Sequence, residues 1–106
     1  MTTPIWQPKH PEKTRMWQFL CFIARTHKVD LPNYQALHTW SITYPEPFWS
    51  SLCDFFDIHF ATPATEVLNQ YHHPHDARWF NGATLNFAEQ LLRRKDNHPA
   101  LISINE

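Results

Sequence analysis

The sequence predicts a mainly α fold: about four helices, long irregular connections and one short strand at the C-terminal end. Three observations predict it. Apolar residues recur at three- and four-residue spacing in separate blocks. Cap and first-turn residues stand in front of those blocks. The segments between them are proline-rich and weakly patterned, with nine prolines against a single glycine.

The first helix is expected to begin at Pro11 and Glu12, since a proline and an acidic residue suit a first helical turn. Met16, Leu20, Ile23 and His27 share one stripe, and Trp17, Cys21 and Ala24 the next. Together they make an apolar face broad enough to bury. The run from Lys28 to Pro32 ends it. Upstream, Pro4 and Pro8 break an irregular lead-in, from which Ile5 and Trp6 are expected to dock on a later element.

The second helix is expected from Asn33 to Ser41, with Tyr34, Leu37 and Trp40 on one face. Thr43 followed by Glu46 reads as a capping box opening the third helix, which runs to about Phe56. Phe48, Leu52, Phe55 and Phe56 line one side of it, beside Trp49 and Cys53.

Residues 57–83 carry weaker signals. Ile58 to Phe60 alternates like a short extended segment, and Ala64 to Tyr71 fits either a helical turn or a strand. His72 to Asp76 is a polar loop. Gly82 is expected in a positive-φ turn behind the anchor Trp79-Phe80. Asn86 with Glu89 is a second capping pattern, opening a fourth helix from Phe87 to about Lys95 with Phe87, Ala88, Leu91 and Leu92 inward. Residues 100–104 read as a buried strand. A strand needs a partner, and the chain offers only Ile58 to Phe60. The expectation is a missing continuation, or self-association through residues 100–104.

Composition excludes several functions. The 106 residues suffice for one small domain, which buries about two-thirds of its unfolded surface. Five Trp and eight Phe are more large rings than so small a domain easily hides, so some are expected to meet a partner. One glycine permits neither a phosphate-cradling P-loop nor a dinucleotide-binding fingerprint, both of which need backbone N–H groups brought close to the anion. A net charge of −1 with dispersed basic residues gives no electrostatic support for nucleic-acid binding. No apolar run approaches the ~20 residues of a membrane span. The polar, proline-broken N-terminus does not read as a signal peptide, so the expected compartment is the cytoplasm.

Candidate reactive groups have bland readings. Cys21 and Cys53 read as two reduced core thiols. His72, His73, His75 and Asp76 are metal-ligand types, but adjacent histidines point apart and Pro74 stiffens the gap, so a solvated loop is expected. Asp54 with Asp57, and Glu12 with Glu46, have nothing to hold them across a cleft. Ser50-Ser51 lacks a His–Asp arrangement. His27 and His38 read as edge-of-core histidines. No residue is assigned to catalysis, to cofactor binding or to a metal.

The most distinctive run is Ala77-Arg78-Trp79-Phe80-Asn81-Gly82-Ala83-Thr84-Leu85-Asn86-Phe87-Ala88-Glu89. It resembles the segment Ala-Arg-Trp-Phe-Pro-Gly-x-x-Leu-Asn-Tyr/Phe-Ala-Glu near the N-terminus of acetoacetyl-CoA synthetases and, more loosely, of acetyl- and propionyl-CoA synthetases. Tyr34 to Ile42, Pro45-Glu46-Pro47-Phe48-Trp49, Asp54-Phe55-Phe56, Pro99 to Ile102 and the opening Trp6-Gln7-Pro8 are similar to the same family, in order and across nearly the whole chain. Asn81 stands where the family has proline, and Asn-Gly still makes a good turn. The resemblance implies the N-terminal helical region of an adenylate-forming ligase, with residues 99–106 starting the adenylating core. For the parent enzyme it implies ATP, Mg and CoA. The family's phosphate loop, later nucleotide motifs and catalytic lysine are not in this chain, so the chain alone is expected to be inactive and to have the core domain as its partner. The reading from another class is a stand-alone interaction module that binds a synthetase or another protein.

Overall fold

The structure, a computed structural model, describes residues 2–106. Four α-helices and a two-stranded antiparallel sheet are described: α1 (Arg15–His27), α2 (Tyr34–Thr43), α3 (Pro45–Phe55), β1 (Glu66–Leu68), β2 (Trp79–Asn81) and α4 (Phe87–Leu91). The fold is mainly α, as the periodicity predicts.

Pro11 opens a separate 3-10 turn, Pro11–Lys13, and not the helix itself. Thr14 is extended (φ −82°, ψ 155°) and interrupts the two. Its Oγ1 accepts from the Trp17 N–H at 3.2 Å and donates to the Pro11 carbonyl at 2.7 Å, so Thr14 is the true N-cap of α1. The helix ends at Lys28, whose left-handed φ of 54° turns the chain without a glycine.

The buried face of α1 is Phe19, Leu20 and Ile23, with Ile23 wholly inaccessible. That face is rotated from the predicted one: Met16 and Cys21 are exposed. The partner decides. Phe48 and Phe55 of α3 meet Phe19 at ring-centroid distances of 5.7 Å and 5.3 Å, which draws Phe19 to the centre of the stripe. Leu31, Leu37 and Trp40 complete the core, and Leu52 packs against it.

Asn33 caps α2, its Oδ1 accepting from the Ala36 N–H at 2.9 Å. Tyr34, expected on the inner face, is exposed. The capping box at Thr43 and Glu46 does not form. Thr43 is the last residue of α2, and its hydroxyl donates to the Thr39 carbonyl at 2.7 Å. Tyr44 makes the break instead (φ −126°, ψ 67°), because the residue before a proline avoids the helical region and Pro45 is the first residue of α3. The Glu46 carboxylate is thereby free to accept the Leu68 N–H at 3.2 Å and ties β1 to α3. Phe56, expected on the inner side of α3, lies outside the core and is 42% exposed.

Residues 64–71, open between helix and strand, contain β1. It pairs with β2 in the register Glu66 to Asn81 and Leu68 to Trp79. A bridge between Thr62 and Thr84 lengthens the hairpin. Gly82 has φ 81°, as expected, in a turn closed by the Ala83 N–H to the Phe80 carbonyl at 3.0 Å. Ile58 to Phe60 joins no strand; Phe60 stacks on Phe80 at 5.6 Å.

The C-terminal part departs most from expectation. α4 stops at Leu91, short of Lys95, and Phe87, Leu91 and Leu92 are exposed, not inward. Residues 100–104 form no strand, and Leu101, Ile102 and Ile104 are almost fully bare, since no edge of the β1–β2 hairpin takes them. Ile5 and Trp6 are likewise undocked. The radius of gyration, 17.9 Å, compares with about 13 Å for a closed domain of this length. The three-helix core is compact and β1 packs on α3, whereas Ile5, Trp6, Leu101, Ile102 and Ile104 remain undocked.

Candidate functional site

The distinctive 77–89 segment is built onto the helical core through aromatic contacts. Phe48 meets Trp49 edge-on at 5.3 Å, and Trp49 meets Trp79 of β2 at 5.6 Å. Because Phe48 also packs on Phe19, a chain of rings runs from α1 through α3 to the hairpin. Trp49 and Trp79 remain about 40% exposed and, with Phe80, line an apolar notch.

The hairpin also borders an open cleft of about 530 Å³, lined by Glu66, Asn69, His75, Asp76, Arg78 and Asn81. Asn69 organises it: its Oδ1 accepts the Arg78 N–H at 2.6 Å and its Nδ2 donates to the Asp76 carbonyl at 3.2 Å. These are the bonds of a folded loop, made largely to backbone.

The candidate reactive residues are distributed as follows. His73 and His75 stack in parallel at 5.4 Å, and His75 lies 3.5 Å from Asp76. Among the described residues no three His, Cys, Asp or Glu side chains converge as a metal site. Asp57, in a left-handed conformation (φ 52°), faces His59 at 3.4 Å and Arg93 at 3.9 Å, with no second carboxylate against it in those contacts. Glu12 contacts His10 at 3.3 Å, whereas Glu46 serves the Leu68 N–H; the two are engaged separately.

His27 and Ser51 do meet, Nε2 to Oγ at 2.7 Å, with the imidazole 5.0 Å from the Trp40 ring. Ser51 is only 3% exposed, so this pair ties α1 to α3 inside the molecule and offers no accessible nucleophile. His38 is exposed and lies 6.3 Å from Tyr34, so it is a surface histidine and not an edge-of-core one.

Both cysteines are free. The pair of core thiols is corrected in part: Cys21 is exposed, while Cys53 is half-buried. Burial pushes the Cys53 thiol up, and the neighbouring Asp54 charge adds to the effect.

Two positioning residues carry no local sequence signal. The Gln90 side chain accepts the His59 N–H at 3.1 Å and donates to the His59 carbonyl at 2.7 Å, imitating a strand neighbour. Arg93 Nη1 donates to the carbonyls of Phe56 at 2.8 Å and Asp57 at 2.6 Å. Their partners lie 31 to 37 residues away, beyond any periodicity.

This arrangement is a helical core with a pinned hairpin and an outlying cap-initiated helix, and it is a known one. Residues 34–91 match the model of the acetyl-coenzyme A synthetase N-terminus, and the chain belongs to that family. Within it, the particular likeness is to the N-terminal region of acetoacetyl-CoA synthetases. The solved acetoacetyl-CoA synthetase from Streptomyces lividans superimposes with a TM-score of 0.73 at 37% identity, over 83% of this chain and 14% of that one. The acetoacetyl-CoA synthetase of Xenopus tropicalis is 35% identical over 104 residues, 96% of this chain and 16% of the relative. A malonamoyl-CoA synthetase of Penicillium aethiopicum is 37% identical over 110 residues, 96% of this chain and 15% of the relative. The chain therefore spans roughly one-seventh of the length of the proteins it matches. No helix among the described residues is long and apolar enough to cross a membrane.

Proposed function

We propose that this chain is a non-catalytic N-terminal portion of an ATP-dependent ligase that joins a short 3-oxo acid, acetoacetate, to CoA. The observation that carries the reading is the likeness over 83% of the chain to only 14% of an acetoacetyl-CoA synthetase. Acetoacetate and malonamate, the acids named by the relatives, share a carboxylate one methylene away from a carbonyl, which supports the substrate class. In the parent reaction the carboxylate attacks the α-phosphorus of ATP and pyrophosphate leaves. The CoA sulfur then displaces AMP from the acyl-adenylate. ATP, Mg and CoA are ligands of the remaining six-sevenths of such an enzyme. The chain's sole glycine supports this division, because it serves a hairpin turn and no phosphate loop.

The test is an assay of pyrophosphate and acyl-CoA formation with this chain, ATP, Mg, CoA and acetoacetate. The expected rate is the no-protein background. ATP-dependent acyl-CoA formation by the purified chain would overturn the non-catalytic reading.

A further inference from the structure

The turn after β2 contains the chain's one Asn-Gly pair, Asn81 and Gly82. An asparagine side-chain carbonyl lies within five-membered-ring reach of the next residue's backbone nitrogen. A Cβ on that next residue obstructs the approach, and glycine has none. Both residues are exposed. Even an added Cβ at Gly82 would meet nothing nearer than Thr65 at 3.6 Å, so the turn is open. Among the described residues the Gly82 N–H has no acceptor and Asn81 Oδ1 no donor. The Asn81 amide makes one long bond, Nδ2 to Glu66 Oε1 at 3.3 Å. The other asparagines are placed differently. Asn33 and Asn86 use Oδ1 as helix caps, and Asn69 is engaged at both ends of its amide. After Asn97, the His98 N–H is already held by Asp96 Oδ1 at 2.9 Å. Asn105 precedes Glu106, a residue with a Cβ.

We propose that Asn81 and Gly82 form a self-modification site, at which Asn81 deamidates through a cyclic imide and the acid product loosens the β1–β2 hairpin. The reaction needs only the chain and solvent water. The Gly82 backbone nitrogen, its proton lost to solvent base, attacks Asn81 Cγ. The N–Cγ bond forms, the Cγ–Nδ2 bond breaks, and the amide leaves as ammonia. Water then opens the imide at one of its two carbonyls, with no oxidation or reduction. Opening at Cγ gives aspartate. Opening at the main-chain carbonyl gives isoaspartate, in which the chain runs through Cγ and is longer by one methylene. Both products act on the same contacts. The Asn81 carbonyl accepts the Thr65 N–H at 2.9 Å and the Thr65 hydroxyl at 3.0 Å. In isoaspartate that carbonyl becomes a carboxylate outside the main chain, and the register of Glu66 opposite residue 81 is lost. In aspartate the donor to Glu66 is replaced by a second carboxylate directly across the ladder, where like charges repel. The inference is independent of the proposed function.

The experiment ages the purified chain at mildly alkaline pH and follows it by peptide mapping with mass spectrometry, isoaspartate being read by enzymatic methylation. Position 81 is expected to gain the mass of an amide-to-acid exchange about tenfold faster than any other asparagine, because only there is the following residue a glycine. Isoaspartate is expected among the products, and the rate is expected to rise with pH. Asn81→Gln keeps the amide but would have to close a six-membered ring, so it is expected to abolish the exchange at that position over the same period. Amide exchange at Thr65 and Thr84 is expected to quicken in the aged fraction and in Asn81→Asp. Adding Glu66→Gln to Asn81→Asp is expected to restore it. Amide protection at Ile23, in the helical core, is expected to stay unchanged throughout, which excludes a general folding defect. Ageing at position 81 no faster than at Asn97, or yielding aspartate alone, overturns the imide site. Rapid ageing with unchanged exchange at Thr65 and Thr84 overturns the loosening of the hairpin. An Asn81→Asp hairpin that Glu66→Gln does not restore overturns the charge argument.

Discussion

Gly82 shows how much a single residue decides here. At φ 81° it turns β2 back toward the Thr62–Thr84 bridge, while a Cβ added there would meet nothing nearer than Thr65 at 3.6 Å, an ordinary contact. Replacement therefore strains the backbone without a clash. Gly82→Ala is expected to cost about 1–2 kcal/mol, and Gly82→Asn less. Urea denaturation, with amide exchange read at Thr65 and Thr84, checks this; an unchanged hairpin in Gly82→Ala would contradict it. The cysteines separate by chemistry as well as exposure. Cys21 is open to solvent, whereas Cys53 is half-buried and its thiol is pushed up by burial and by Asp54. The thiolate is the reactive form, so Cys21 is expected to be alkylated by iodoacetamide at neutral pH well before Cys53. Peptide mapping at partial modification tells the two apart, and equal labelling would refute the difference.

At the scale of elements, α1, α2 and α3 share one core, and α4 packs against none of them. Ile23 lies wholly inside the first, so Ile23→Ala is expected to destabilise the three-helix core by about 2–5 kcal/mol. Gln90→Ala removes two bonds at an exposed loop, each worth about 1 kcal/mol, and is expected to leave the main transition in place while α4 loses amide protection. Hydrogen exchange followed alongside thermal melting distinguishes these outcomes. If Gln90→Ala lowered the main transition as far as Ile23→Ala, α4 would belong to the core unit. The elements also differ in how legible they are. The Asn33 and Asn86 caps and the apolar blocks of α1 to α3 are readable, because each depends on residues within four positions. The Thr43 box misleads because Pro45 competes for the same break and restricts Tyr44, not Thr43. The inward reading of Leu91 and Leu92 fails because periodicity reports that a face is apolar and not which body covers it.

At the scale of the whole molecule, the apolar surface outside the core is the dominant property. Leu101, Ile102 and Ile104 are each more than 80% exposed. Such a run, with no strand beside it, is a template for pairing with another chain. The separate chain is expected to self-associate through residues 100–104 as concentration rises, and Ile102→Lys to weaken this. Sedimentation across a concentration series checks it, and a monomer throughout would refute it. The candidate site follows the same logic. The resemblance along residues 77–89 is visible in sequence, whereas the ring chain from Phe19 through Trp49 to Trp79 is not, since its members lie on three elements.

By itself the sequence determined the helical class, the caps at Asn33 and Asn86, the turn at Gly82 and the family, because each rests on short-range geometry or on an ordered set of motifs. Tertiary structure alone decided the rotation of α1 toward Phe19, the pairing of Glu66 with Asn81, the clamp of Gln90 on His59 and the outward face of α4. The first three depend on partners 15 to 36 residues apart in the chain, and no local spacing encodes which of several apolar or polar neighbours will arrive there.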